Sequence, residues 1–119
     1  MKISYPAPNA VSVWIGNFTS EADFDRCVDG PISKALNLKT PLASVCEICF
    51  EEEALPLCSL IEGFSGWTSF VDQAVEAARA RGIEKANAAL VCYYVKCEDV
   101  PAIWDTMQFL GSLAGRRVS

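Results

Sequence analysis

Nine consecutive positions, residues 87–95, read Asn-Ala-Ala-Leu-Val-Cys-Tyr-Tyr-Val and carry no charge. The run is too rich in β-branched and aromatic residues for a helix and too short to span a bilayer. It predicts a central strand covered on both faces. The segments around it must therefore supply cover for two faces of a sheet.

Several segments have the right periodicity. Val11-Ser12-Val13-Trp14-Ile15-Gly16 alternates as a strand, and Trp14, opposite the Val11, Val13 and Ile15 face, is read as core. Ser20 with Asp23 three positions on resembles a capping box, and Phe24, Cys27 and Val28 make an apolar stripe, so a helix is placed at residues 21–29, ended by Gly30-Pro31. Residues 31–43 give only a weak helical signal around Ile32, Ala35 and Leu36. Residues 44–51 alternate again as a strand with one polar face. Leu57, Leu60, Ile61 and Phe64 mark a short helix, with Pro56 suited to its first turn and Gly63 to its end. The strongest helical stripe is Trp67, Phe70, Val71, Ala74, Val75 and Ala78, stopped by Gly82. A last strand is placed at residues 108–113.

The resulting expectation is a single small α+β domain: a mixed or antiparallel sheet of about four strands packed against two to three helices. Residues 1–9, with two prolines, are read as an extended N-terminal arm, and residues 10–119 as the domain. At 119 residues such a chain buries roughly two-thirds of its unfolded surface, enough for a core of its own.

Composition narrows the chemistry. The chain has no histidine, which removes Ser-His-Asp and Cys-His catalysis and histidine metal sites. Its 15 acidic against 10 basic residues give a net charge of −5, and the only adjacent basic pair is Arg116-Arg117, so no phosphate-binding surface is expected. No glycine pattern supports nucleotide binding. The prolines of the first eight residues do not suit a signal peptide, and no apolar run is long enough for a membrane span, so the expected compartment is the cytoplasm.

Six cysteines stand at 27, 46, 49, 58, 92 and 97. Cys46 and Cys49, with Cys92 and Cys97, could make a four-thiolate zinc or redox set. Positions 46 and 49 have opposite parity in a strand, however, and point to opposite faces. Free, mostly buried thiols are the expectation, with no disulfide framework and no cofactor.

The sharpest charge run is Glu51-Glu52-Glu53, on a segment that also carries Glu47. Asp23, Asp25 and Asp29 make a second acidic surface on the first helix. A solvated strand end is the plain explanation of the glutamates; a patch for a basic partner is the functional one. Trp67 and Trp104 are candidate interface anchors.

The string Val11-Ser12-Val13-Trp14-Ile15-Gly16-Asn17-Phe18, followed by an acidic helix, resembles the opening of the bacterial immunity protein 22 family. Gly63-Phe64-Ser65 leading to Ser69-Phe70 resembles that family's helix junction. Residues 87–94 resemble its apolar strand, and Phe109-Leu110-Gly111-Ser112 its last strand. The likeness spans about residues 11–113. Gly66-Trp67 and the middle segment, residues 41–50, depart from the pattern.

The resemblance implies a non-enzymatic cytoplasmic protein that binds and blocks a cognate polymorphic toxin, protecting the producing cell. The toxin is guessed to be a nuclease with a basic surface, met here by Glu47, Glu51, Glu52 and Glu53, with Asp23, Asp25 and Trp67 as further candidate contacts. No direct nucleic-acid or membrane contact is expected, and the protein is expected to be a monomer or homodimer. The alternatives are a cysteine-based zinc or redox domain, and a non-catalytic regulatory or scaffold domain of the same fold.

Overall fold

Every residue from Ala86 to Tyr93 is buried in one strand, β4 (Lys85–Tyr93). It lies between β3 (Cys46–Pro56) and β2 (Ala10–Gly16); beyond β2 come β7 (Met107–Ala114) and β6 (Ile103–Trp104). The computed structural model describes residues 1–101, 103, 104 and 106–117, the side chains of 103 and 104 excepted. Among these the pairing is antiparallel throughout, in the spatial order β3-β4-β2-β7-β6.

Residues 2–4 of the expected arm form strand β1 (Lys2–Ser4), paired with β5 (Lys96–Glu98) as a separate two-stranded ribbon. Buried hydroxyls tie the ribbon to the main sheet. Ser12 Oγ donates to the Val95 carbonyl at 2.6 Å and accepts from Ser112 Oγ at 2.7 Å, and Ser112 Oγ in turn accepts from the Cys97 amide.

Helical segments cover both faces, as the apolar run requires. On one face α4 (Leu57–Ile61) and α5 (Val71–Arg79) bring Leu57, Leu60, Ile61, Val71, Ala74 and Ala78 onto Val13, Ile15, Val91 and Tyr93. On the other, Phe24 and Cys27 of α1 (Glu21–Cys27), Ile32, and Leu36 of α2 (Ser33–Leu36) pack with Trp14, Leu90 and Met107. Trp14 is therefore core, because both faces of β2 are covered. The fold is α+β, with more strands and more, shorter helices than the periodicity counted.

Three local differences have physical reasons. First, Gly30-Pro31 does not end the helical path. Residues Val28–Ile32 form a π turn that leads into α2, and the wider turn accommodates a proline that has no N–H to offer. Second, residues 42–45 are a helical turn, α3 (Leu42–Val45), so β3 starts at Cys46 and runs five residues further than expected. Third, Trp67 stands in a 3-10 turn (Trp67–Ser69) and α5 starts only at Val71, after Phe70 at φ −135° breaks the helical path.

Two glycines are fixed by their surroundings. A Cβ on Gly16 would stand 2.7 Å from the Thr106 carbonyl and 2.9 Å from Met107 Sδ. Gly111, at φ +132°, follows the extra residue, Leu110, by which β7 bulges between its pairings with Val13 and Trp14.

Candidate protein-interaction edge

β3 is the outermost strand on its side of the sheet, and its two halves behave differently. From Cys46 to Phe50 it pairs residue for residue with Cys92 to Ala88. The register then skips: Leu55 pairs with Ala86, so β3 spends residues 51–54 where β4 spends Asn87 alone. Glu51, Glu52 and Glu53 thus stand on an exposed bulge. Asn87 is held elsewhere: its carboxamide accepts from the Phe18 amide at 2.9 Å and donates to the Phe18 carbonyl at 2.7 Å.

The paired half is bonded covalently to its neighbour. Cys46 and Cys92 form a disulfide across the two strands, which corrects the expectation that all six cysteines are free thiols. Directly opposed positions in adjacent strands put the two sulfurs on one face, a long-range placement that sequence spacing does not reveal. Cys49 packs on the opposite face, as its parity required, and Cys97 is buried in the ribbon. The four sulfurs of the suggested zinc set do not converge. Among the described residues no group of three or more His, Cys, Asp or Glu is placed to hold a metal ion.

The 4.1 Å Cα separation of Cys46 and Cys92 also fixes which peptide groups face outward. Narrow antiparallel pairs, at about 4.5 Å rather than about 5.5 Å, are the ones that exchange no hydrogen bonds. Consistently, the Cys46 amide donates to the Leu42 carbonyl instead of to β4. The alternation then directs the N–H and C=O of Ile48 and Phe50 away from β4, along an edge that no other strand joins among the described residues. Ile48 is 52% exposed, a large apolar side chain left in the open.

Glu47 is the best-connected carboxylate. It accepts from the Ser65 amide at 2.9 Å, from the Ser65 hydroxyl at 2.6 Å and from Arg117 at 3.2 Å, and the Tyr93 hydroxyl, 3.4 Å away, donates mainly to the Ser65 carbonyl. Arg117 also lies over the Tyr93 ring, 5.3 Å from its centre. Burial pushes the Glu47 carboxyl up, but the donors from Ser65, Arg117 and Tyr93 outweigh it and hold it below the usual glutamate range. Burial and the neighbouring carboxylate push the Tyr93 phenol well up. Ser65 is thus bonded to a weakened base, which does not activate a hydroxyl near neutral pH.

An open cleft of about 650 Å³ runs beside β3, with Glu47, Glu51 and Glu62 around Leu60 and Phe64. Two of the expected contact residues, Glu47 and Glu51, therefore meet at one site, joined by Glu62, which no charge run marks. Glu52 and Glu53 continue onto the bulge. Asp23 is elsewhere: it lines a separate cleft with Asn17 and Thr106, and is engaged by Thr19, the Ser20 cap and Arg26. Those hydrogen bonds and the Arg26 charge hold its carboxyl below the usual range. Asp25 is half-buried on α1. Trp67 packs partly against the α4–α5 core. The side chain of Trp104 lies outside the described residues.

Ser65, Tyr93 and Arg117, which orient Glu47, come from 18 to 70 positions away. Nothing local marked them, although Tyr93 at the end of an apolar run was a polar group in need of a partner. Among the described residues no helix is long and apolar enough to cross a membrane. In comparisons with known proteins, the chain matches no family model, no curated protein and no solved structure.

Proposed function

We propose that the protein is a non-enzymatic binding module that takes a basic protein partner on the β3 edge, and that this partner is a bacterial toxin it neutralises by occlusion. The observation that carries the binding reading is the open cleft in which Glu47, Glu51 and Glu62 come together beside an edge strand. An excess of carboxylates on one surface accelerates encounter with a basic partner and biases its orientation. The toxin assignment rests on the residue strings that resemble the immunity protein 22 family.

The zinc alternative has less geometric support, since two of its four sulfurs are bonded to each other and a third lies on the other face. In a reducing cytoplasm the Cys46–Cys92 pair is expected as two thiols, and in an oxidising compartment as the disulfide.

The test is titration calorimetry of the full chain against the catalytic domain of the toxin encoded beside its gene, with a toxicity assay on the same mixture. One-to-one binding that abolishes toxicity is expected. The absence of binding by a folded protein would overturn the toxin assignment. The Glu51/Glu52/Glu53→Lys variant is expected to slow association and to weaken its dependence on salt; an unchanged on-rate would remove the bulge from the interface.

A further inference from the structure

The cleft described above lies on one side of the β3 edge. On the other side is a second, smaller cleft of about 140 Å³, lined by Val28, Leu42, Ala43, Cys46, Ile48 and Leu90 with Asp29 at its rim. The edge therefore separates an acidic trough from an apolar one. Between them stand the outward N–H and C=O groups of Ile48 and Phe50.

A strand laid along this edge sends alternate side chains to opposite faces. We infer that residues 46–50 accept an extended segment of a basic protein as an added strand, its lysines or arginines over Glu51 and Glu62, beside the Arg117-bound Glu47, and its alternate aliphatic side chains over Leu42 and Ile48. This rests on the reading that the protein binds a basic partner, and it specifies how: through the main chain for affinity and through a two-residue alternation for selectivity.

Charge selects this occupant over a second copy of the chain. Pairing like faces of two β3 edges sets the Glu47 and Glu51 of both copies on one face, and like charges across a ladder are destabilising. Pairing unlike faces sets the glutamates over the apolar cleft. The glutamate bulge ends the regular edge just past Phe50, so the added strand is short and its register is fixed at that end.

The probe is an acetylated, amidated peptide of alternating lysine and valine, seven residues long, titrated against the full chain. Its controls are a peptide of the same composition with the lysines and valines in separate blocks, and an alternating glutamate–valine peptide. The alternating basic peptide is expected to bind at least about ten-fold tighter than either control, and to slow amide exchange at Ile48 and Phe50 about ten-fold or more. Ile48→Pro removes an outward N–H without removing a β3–β4 bond and is expected to abolish the preference. Ile48→Lys is the second variant, with the same expectation, and thermal melts establish that each is folded.

Equal binding of the alternating and blocked peptides would overturn the proposal, since it would mean attraction by charge alone. So would binding without protection at Ile48 and Phe50, or a dimer in sedimentation in which those amides are already protected. The two readings fail separately. Toxin neutralisation that survives Ile48→Pro overturns the added strand and leaves the toxin assignment. Peptide binding with the expected pattern, in a protein that does not bind the toxin, does the reverse.

Discussion

β3 and β4 are neighbours joined by a disulfide, yet one has almost every side chain at least partly open and the other has every residue after the first buried. The difference is position in the sheet. β4 has a strand on each side and a helical layer on each face, so its residues are selected for apolar volume. β3 has one neighbour and covers little on its outer side, so its residues carry charge, alternation and a bulge. Core strands record packing, and edge strands record what must be admitted or kept out.

That contrast can be broken most severely at the covalent link. Replacing both partners, Cys46→Ala with Cys92→Ala, releases a closed loop whose ends are 46 positions apart, and chain-entropy reasoning gives a loss of about 4 kcal/mol. Denaturant unfolding of the variant beside the oxidised and reduced parent measures it. A reduced parent as stable as the oxidised one would show that the link adds nothing to the fold.

Within β4, Leu90→Ala is expected to cost about 3 kcal/mol, because the side chain is fully buried in the core and its truncation leaves a cavity. Its register partner on β3, Ile48, half-exposed, is the matched control: Ile48→Ala is expected to change stability by less than about 0.5 kcal/mol. Similar losses at both positions would mean that the edge is buried in the working state of the protein. Asn87→Ala, opposite the bulge, is expected to cost about 2 kcal/mol, since it strands the Phe18 amide and carbonyl together.

The smallest effect sharpens the comparison by pH. The Glu47 carboxyl is held below its ordinary value of 4.5 in the folded protein, so the unfolded chain binds the proton more readily. Its contribution is fully present above that value and is lost as pH falls through the lowered one. Glu47→Gln is expected to reduce stability near neutrality and to flatten the acid side of a stability–pH curve. Curves for parent and variant that stay parallel down through the carboxylate range would remove Glu47 from that role.

Much of this architecture could be read from local pattern. The central strand, expected at 87–95 and formed at Lys85–Tyr93, the Ser20 cap, and the part from Val71 onward of the stripe expected from Trp67 depend on neighbours within about four positions, and those the chain displays directly. What escaped depends on distance. β1 is three residues long and exists only because residues 96–98 lie beside it. The disulfide needed the register of two strands, and the environment of Glu47 needed Ser65 from the turn after α4, Tyr93 from the core and Arg117 from the tail. At the candidate site, the residues that carry charge were legible, while those that orient them were not.

The Cys46–Cys92 bond also has a topological consequence. The covalent ring it closes contains all of β3 beyond Cys46, both helices of one face and most of β4. A single peptide cut anywhere between residues 47 and 91 therefore yields two pieces that stay tethered and separate only when a reductant is added. Any pull applied to β3 near its start passes into the centre of the sheet through a sulfur–sulfur bond, and the strand cannot be peeled away from that end by breaking hydrogen bonds one at a time.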